Sequence, residues 1–264
     1  MSVQYPKQRQ APRKKTKARV QLPEQQRPVR RPNRVKVVLG LIALVAIVAV
    51  GALALNLASG SDEPSAGSVQ VGNAAEVAEM LEGVPQSGTT LGRADAPVTL
   101  VEYADLQCPF CAEWARNALP MLAWDHVRAG KLKIEFRGLT FVGEDSDKAL
   151  RFALAAGAEN KLWHAVELLY WNQGAENTGW VTDAKLDAVA TAIGLDGAAL
   201  RARGDKMPVV HAIAESTTAA REDDVSSTPS ILIGPSGGKL EQVELSSLGP
   251  EGVVPAIEAV LAAK

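Results

Sequence analysis

Residues 98–111 read VTLVEYADLQCPFC, and they contain both cysteines of this 264-residue chain. The β-branched and apolar run Val98–Tyr103 predicts a buried central strand, and the pattern of Ala112–Ala123 predicts a helix. Cys108 and Cys111 therefore lie at a strand-to-helix junction. A helix start offers unpaired N–H groups and the positive end of the helix dipole, which stabilise a thiolate. We therefore expect an exposed, nucleophilic sulfur at Cys108 and a buried partner at Cys111.

Further strand and helix patterns follow this junction. Lys131–Arg137 alternates apolar and polar residues, which predicts a second strand and, with the intervening helix, a βαβ unit. Residues 145–224 have a helical pattern broken by glycines, which predicts four or five helices. Ser230–Ile233 and Leu240–Leu245 predict an antiparallel hairpin, and Pro250–Ala263 predicts a helix that covers the sheet. The expected fold class is α/β, with sheet elements divided by a helical insertion.

The amino-terminal region is strongly basic, although the formal net charge of the chain is only −2. Residues 1–36 contain twelve Lys or Arg against Glu24 alone. The basic run Arg13–Lys17 is compatible with nucleic-acid binding, but it has no aromatic neighbours and it precedes an apolar stretch. We predict a disordered cytoplasmic tail over 1–36 and no nucleic-acid partner.

Residues 37–55 contain nineteen positions without a charged or polar side chain. As a helix, this stretch spans the hydrocarbon layer of about 30 Å, so we predict a transmembrane helix over 37–58. A cleaved signal peptide is the alternative, because Ala52–Ala54 is compatible with signal-peptidase cleavage. The positive-inside rule keeps the tail in the cytoplasm and predicts a single-pass cell-membrane protein with residues 59–264 outside, in an oxidising compartment.

The remainder divides into a spacer and one domain. Residues 59–85 form a predicted linker, rich at first in Ser, Gly and acidic residues, with a short amphipathic helix at Ala74–Glu82. Residues 86–264 form the predicted domain, and roughly 180 residues suit one domain with a substantial core.

Two segments resemble the DsbA-like thioredoxin-fold disulfide oxidoreductases of bacterial envelopes. They are Ala96–Cys111, which reads APVTLVEYADLQCPFC, and Ser227–Gly234, which reads STPSILIG. The resemblance covers about residues 86–264 and implies a thioredoxin fold with a helical insertion. It also implies a cis proline beside the thiols, which Thr228 and Pro229 match. There the Thr228 backbone would face an extended substrate peptide.

The resemblance implies roles for the residues around the two cysteines. Cys108 and Cys111 would form the redox-active disulfide of an extracytoplasmic thiol:disulfide oxidoreductase that introduces disulfide bonds into exported proteins. Pro109 fits the first helical turn. Phe110 stands where some relatives have a basic or small polar residue, and it adds no positive charge. Glu102 matches an acid that transfers protons in relatives. The alternative is a structural role, in which Glu102 lies at a sheet edge and its carboxylate pairs with a base.

The same resemblance implies a reoxidation partner in the membrane that passes electrons to quinone, and it implies no cofactor. A disulfide reductase or isomerase of the same fold is the alternative activity. An inert structural bridge and a metal-binding module are the alternatives to an enzyme. His126, His164 and His211 show no metal-ligand spacing with either cysteine, so we assign no metal site. We interpret Arg116 as a solvated surface charge without a role.

Overall fold

The computed structural model describes residues 69–263. In chain order they form helix α1 (Ala74–Leu81), strands β1 (Gln86–Ser87), β2 (Thr90–Leu91) and β3 (Val98–Ala104), helices α2 (Pro109–Asn117) and α3 (Leu119–Leu122), a π-helical turn (Ala123–Val127), strand β4 (Leu132–Gly138), helices α4 (Glu144–Gly157), α5 (Leu162–Trp171), α6 (Asp183–Ala192), α7 (Gly197–Gly204) and α8 (Met207–Glu222), strands β5 (Ser230–Pro235) and β6 (Glu241–Val243), a 3₁₀ turn (Pro250–Gly252) and helix α9 (Val254–Ala262).

The strands form one mixed six-stranded sheet in the order β1-β2-β4-β3-β5-β6. Strand β3 is central, parallel to β4 and antiparallel to β5. All seven residues of β3 are buried, as expected of a strand covered on both faces. Strand β4 alternates buried and half-buried residues. The predicted βαβ unit and the predicted β5–β6 hairpin are confirmed.

Alternate residues of β3 contribute to two hydrophobic cores on opposite faces of the sheet. Leu100 belongs to the larger core, which also includes side chains of α2 and α5. Val101 and Tyr103 belong to a smaller core with Ala220 of α8 and Val225. Each fully buried aliphatic or aromatic side chain stabilises the fold by about 1.5–3 kcal/mol. The two cores together hold β3 in place, and helix α2, which carries the cysteines, follows the end of this strand.

Five helices, α4 to α8, lie between β4 and β5 and confirm the predicted helical insertion. Helix α9 covers the sheet with Ile257, which is fully buried. The helix that follows the cysteines is shorter than predicted. Helix α2 ends at Asn117, and the chain restarts as α3 with Pro120 in its first turn. Proline cannot continue the hydrogen bonding of a preceding helix, which explains this break.

The predicted linker over 59–85 needs a correction at its carboxyl end. Helix α1 forms where the short helix was predicted, but Val77, Met80 and Leu81 are buried in the larger core. The hairpin of β1 and β2, which the sequence pattern did not predict, then extends the sheet beyond β4. Helix α1 is therefore part of the folded domain.

The predicted tail over 1–36, the predicted transmembrane helix over 37–58 and the first part of the linker lie outside the described residues. Within residues 69–263, no helix has the length and apolar character needed to cross a bilayer.

Candidate active site

Cys108 is the residue that caps the amino terminus of α2. Its backbone is extended, and Pro109 is the first helical residue, where a missing N–H costs no hydrogen bond. The N–H groups of Phe110 and Cys111 are then available to the Cys108 sulfur. The side chain of Gln173 holds this segment from the loop after α5, because its Nε2 donates to the carbonyl oxygens of Leu106 at 2.9 Å and Cys108 at 3.1 Å.

The environment of Cys108 favours the thiolate. The hydrogen bond from Cys111 lowers the pKa of Cys108 most, and the hydrogen bond from Thr228 and the backbone N–H groups lower it further. Burial acts in the opposite direction, and the net effect lowers this pKa from 9.0 to about 6. At neutral pH the thiolate therefore predominates over the thiol by about ten to one.

The predicted cis proline lies directly beside this sulfur. The Thr228-Pro229 peptide bond is cis, as predicted. The register that pairs Tyr103 with Ser230 places Pro229 at the end of β3 from which the chain runs to Cys108. The Cys108 thiol donates to the Thr228 carbonyl oxygen, with 3.4 Å between sulfur and oxygen.

The prediction that the Cys108 sulfur is exposed is wrong, because Cys108 is almost fully buried. Cys108 is only 5% exposed, because the Thr228 loop packs across it. Pro109 and Phe110 are exposed, and Phe110 reaches 59%, so open surface adjoins the sulfur. A substrate can therefore reach the Cys108 sulfur only through a narrow opening between the Thr228 loop and the exposed Pro109 and Phe110.

Cys111 lies one helical turn deeper and is fully buried. Burial raises the pKa of the Cys111 thiol well above its ordinary value, and the neighbouring Cys108 raises it further. Both thiols are free in this structure. The two sulfurs thus differ in the way that the sequence predicts, with one stabilised as thiolate and the other kept protonated.

Glu102 lies on the central strand β3, close enough to Cys111 for its charge to raise the pKa of that thiol. Its side chain is not at a sheet edge, and no basic partner forms a salt bridge with it among residues 69–263. The residue is 3% exposed, and burial raises the pKa of its carboxyl to about 7. The Trp114 indole offsets part of this rise, although its N–H lies outside ordinary hydrogen-bond geometry. The structural alternative for Glu102, a carboxylate paired at an edge, is therefore wrong.

A second buried acid, Glu167 on α5, was not predicted. It is 1% exposed, and burial raises the pKa of its carboxyl well above the ordinary value, with the charge of Glu102 as the next cause. The sequence signal was the single carboxylate of α5, a helix in which every other residue except His164 is apolar, since a charged residue is almost never fully buried without a partner.

Two further polar residues shape the approach to α2. Asp105 lies in the turn that follows β3, and its carboxylate accepts from the backbone N–H groups of Gln107 at 2.8 Å and Val142 at 2.9 Å. Arg116 is half-buried rather than a free surface charge, because its guanidinium donates to the Tyr170 carbonyl at 2.9 Å. No group of three His, Cys, Asp or Glu residues in the described range is arranged to hold a metal ion.

The arrangement of the site can be compared with known proteins. A family model described as Thioredoxin matches residues 86–244. The chain belongs to this thioredoxin family. The crystal structure of oxidised BdbD from Bacillus subtilis superposes with a TM-score of 0.58 at 22% identity, covering 68% of this chain and 97% of that one. This likeness confirms the thioredoxin fold and the mixed sheet with its helices.

Two other known proteins are similar to parts of this chain. The structure of Pseudomonas aeruginosa DsbA2 superposes with a TM-score of 0.54 at 26% identity and covers 69% of this chain and 98% of that one. Probable disulfide bond formation protein D of Bacillus cereus is 33% identical over 96 residues, or 36% of this chain and 44% of the relative. The matched region thus spans less than half the length of that curated relative. The resemblance to DsbA-like proteins is confirmed.

Proposed function

We propose that this protein is a thiol:disulfide oxidoreductase that introduces disulfide bonds through the Cys108-Pro109-Phe110-Cys111 site. The observation that carries this proposal is the asymmetric placement of the two thiols: Cys108 caps α2 beside the cis Thr228-Pro229 bond, whereas Cys111 is fully buried, and the pKa of the first is accordingly lowered and that of the second raised. A structural bridge would need no such asymmetry, and across so short a loop it would add little stability. A metal-binding module would need more ligands than these two thiols.

The chemistry follows from this asymmetry. A substrate thiolate attacks the Cys108 sulfur of the oxidised site, the bond between Cys108 and Cys111 breaks, and Cys111 leaves with the electron pair and takes up a proton. A second substrate thiolate then attacks the substrate sulfur of the mixed disulfide and releases the Cys108 thiolate. The substrate is oxidised by two electrons, and the enzyme is reduced by two.

The thiolate at Cys108 also favours the oxidising direction. A lowered pKa stabilises the reduced enzyme, so the enzyme's disulfide gives up its oxidising equivalents readily. The name of the Bacillus cereus relative, which refers to disulfide bond formation, is consistent with this direction. A reductase or isomerase remains the alternative that the experiment below separates.

The proposed setting is the outer side of the cell membrane. It is supported by the apolar stretch at 37–55 and by the basic residues that precede it. The substrates would be exported proteins that carry free thiols. A membrane protein linked to quinone would reoxidise the site, and anchoring by residues 37–58 would raise the effective concentration of the two proteins. Protease protection of the full-length protein in membrane vesicles tests this orientation, and digestion of residues 69–263 from the cytoplasmic side would contradict it.

The decisive measurement is the reduction potential of the full-length protein in equilibrium with glutathione, together with oxidation of reduced ribonuclease. We expect rapid oxidation of ribonuclease and a potential above about −200 mV, toward the oxidising end of the thioredoxin-fold range. A potential near −270 mV would establish a reductase instead. Reactivation of scrambled ribonuclease without net oxidation would indicate an isomerase, and purification with stoichiometric zinc would indicate a metal-binding module.

A further inference from the structure

Tyr103, near the end of the central strand, is fully buried although it carries a hydroxyl group. Successive residues of a strand face opposite sides of the sheet, and Tyr103 lies in the smaller core, away from helix α2 and from both sulfurs. It therefore takes no direct part in the proposed exchange at the sulfurs. Its hydroxyl nevertheless belongs to a network of hydrogen bonds that connects β3 and β4 to the carboxyl end of α8.

Both hydrogen bonds of the Tyr103 hydroxyl are short and are made to charged groups. The hydroxyl donates to the Asp223 carboxylate and accepts from the Arg137 guanidinium, with 2.6 Å between the atoms in each bond. Arg137 also donates to Asp223 at 3.4 Å, and its Nε donates to Glu135 at 3.0 Å. Burial, and then the bond to Asp223, raises the pKa of Tyr103 to about 12, so this phenol remains a donor at neutral pH. Hydrogen bonds to charged groups are the stronger kind, so the network ties Asp223 firmly to the sheet.

Tyr103 holds both ends of the Thr228 loop, which consists of residues 223–229 between α8 and β5. Its hydroxyl bonds to Asp223, the residue that caps the carboxyl end of α8. Its backbone is paired with Ser230, the first residue of β5, in the register of β3 and β5. One residue of the central strand thus closes the loop at its start and at its end.

Contacts within the Thr228 loop carry this restraint to Cys108. Val225 is buried in the smaller core. Farther along the loop, the Ser227 carbonyl accepts from the Ser230 hydroxyl at 2.8 Å. The next carbonyl, that of Thr228, accepts from the Cys108 thiol at 3.4 Å. The width of the opening to the Cys108 sulfur therefore depends on how firmly this loop is held.

We propose that Tyr103 is a positioning residue that, through Asp223, holds the Thr228 loop across Cys108 and so limits which substrates reach the sulfur. The limit on substrates rests on the proposed oxidoreductase activity, whereas the restraint on the loop does not. A narrow opening admits a thiol on an extended, unfolded segment and excludes a thiol on the surface of a folded protein. Without the Tyr103 hydroxyl, the loop should open more often while the rest of the domain stays folded.

The width of the opening is measured by alkylating Cys108 of the reduced full-length protein with iodoacetamide and with a bulky iodoacetamide derivative. Both reagents attack the same thiolate, so the ratio of their rate constants does not depend on the pKa of Cys108. In wild type the bulky reagent should react much more slowly, because it reaches the sulfur only when the loop opens. Tyr103→Phe should react about five-fold faster with the bulky reagent relative to iodoacetamide, as expected when one hydrogen bond that closes the loop is lost.

A second variant keeps the test independent of whether Tyr103→Phe folds. Asp223→Ala removes the acceptor at the end of α8 and should change the ratio in the same direction. Glu222→Ala removes an exposed carboxylate one residue earlier, so it is the matched control and should behave as wild type. Mass spectrometry should locate the bulky label on Cys108 and not on Cys111, because only unfolding would expose both thiols.

The outcomes separate this inference from the proposed function. Equal ratios in wild type, Tyr103→Phe and Asp223→Ala would overturn the positioning role. Labelling of Cys111 as fast as Cys108 in both variants would also overturn it, since the network would then maintain the fold and not the position of the loop. If the ratios change as expected but wild type oxidises no thiols, the proposed function fails and the restraint on the loop stands.

Discussion

The surroundings of Cys108 and those of Cys111 differ in almost every physical respect, although only two residues separate them. Cys108 caps a helix, accepts hydrogen bonds from N–H groups and lies beside an exposed aromatic residue. Cys111 is fully buried, one turn along the same helix and near the buried carboxyl of Glu102. The sheet and the Thr228 loop form the first environment, and the inserted helix α5 completes the second.

This difference separates the two tasks of a dithiol. A sulfur that attacks or is attacked must be accessible and stable as an anion, whereas its partner must wait as a thiol and receive a proton when the disulfide opens. The thioredoxin-fold core supplies the first property. The helical insertion contributes to the second, because side chains of α5 belong to the core in which Cys111 is buried.

The largest expected effect comes from replacing each cysteine in turn. Cys108→Ser should abolish oxidation of reduced ribonuclease, because no nucleophilic sulfur remains at the surface. Cys111→Ser should accumulate a mixed disulfide when its Cys108 thiolate attacks the disulfide of an oxidised substrate, because Cys111 is no longer present to displace the bound substrate. Non-reducing electrophoresis with mass spectrometry of the adducts measures both. Adducts that persist in Cys108→Ser would show that Cys111 is the attacking sulfur and would reverse the comparison.

The second prediction concerns stability as a function of pH. The pKa of Cys108 is lowered in the folded state from 9.0 to about 6, so its contribution is fully present above pH 9 and is lost as the pH falls to about 6. The unfolding free energy of the reduced protein, relative to reduced Cys108→Ser, should therefore rise by about 2–4 kcal/mol between those limits. The raised pKa of Glu102 largely cancels in this difference because both proteins contain it. Urea denaturation with dithiothreitol tests the prediction, and a flat difference would contradict it.

A smaller effect should follow from Thr228→Val, which keeps the shape of the side chain and removes its hydroxyl. The hydrogen bond from Thr228 lowers the pKa of Cys108, so the variant should raise that pKa by about one unit, equivalent to about 1.4 kcal/mol. The pKa of Cys108 is measured from the ultraviolet absorbance of its thiolate during a pH titration. Thr217→Val is the control, since the Thr217 hydroxyl bonds within α8 to the Ile213 carbonyl. Equal shifts in both variants would contradict a local effect of Thr228.

The sequence predicts those features of the two cysteine environments that depend on neighbouring residues, and it does not predict those that depend on contacts between distant segments. The central strand, the helix start at Cys108 and the alternation of β4 follow from local periodicity and capping, and the structure confirms them. The covering of Cys108 by the Thr228 loop involves residues 120 positions apart, and no local pattern encodes it. The strands β1 and β2 contain two residues each, too few for an alternating pattern.

The buried acids show the same limit. The position of Glu102 on a central strand indicated burial, and its role was suggested by resemblance. Glu167 gave only an indirect signal, because eight of the ten residues of α5 are buried and the helix has no polar face from which to judge an orientation. Its position depends on the packing of α5 against α2, where Arg116 donates to the Tyr170 carbonyl, and this contact is tertiary.

The smallest effect is expected for Phe110→Ala, which alters the exposed surface beside Cys108. Phe110 is 59% exposed, so its truncation should change the unfolding free energy by no more than about 0.5 kcal/mol. We expect a several-fold higher KM for a reduced peptide with apolar residues beside its cysteine and an unchanged rate with glutathione, which is too small to contact the ring and the sulfur together. Met207→Ala is the matched control, because Met207 is also exposed and is the first residue of α8 rather than a neighbour of Cys108. If Phe110→Ala slowed glutathione and the peptide equally, the ring would act on the Cys108 thiolate rather than on the substrate.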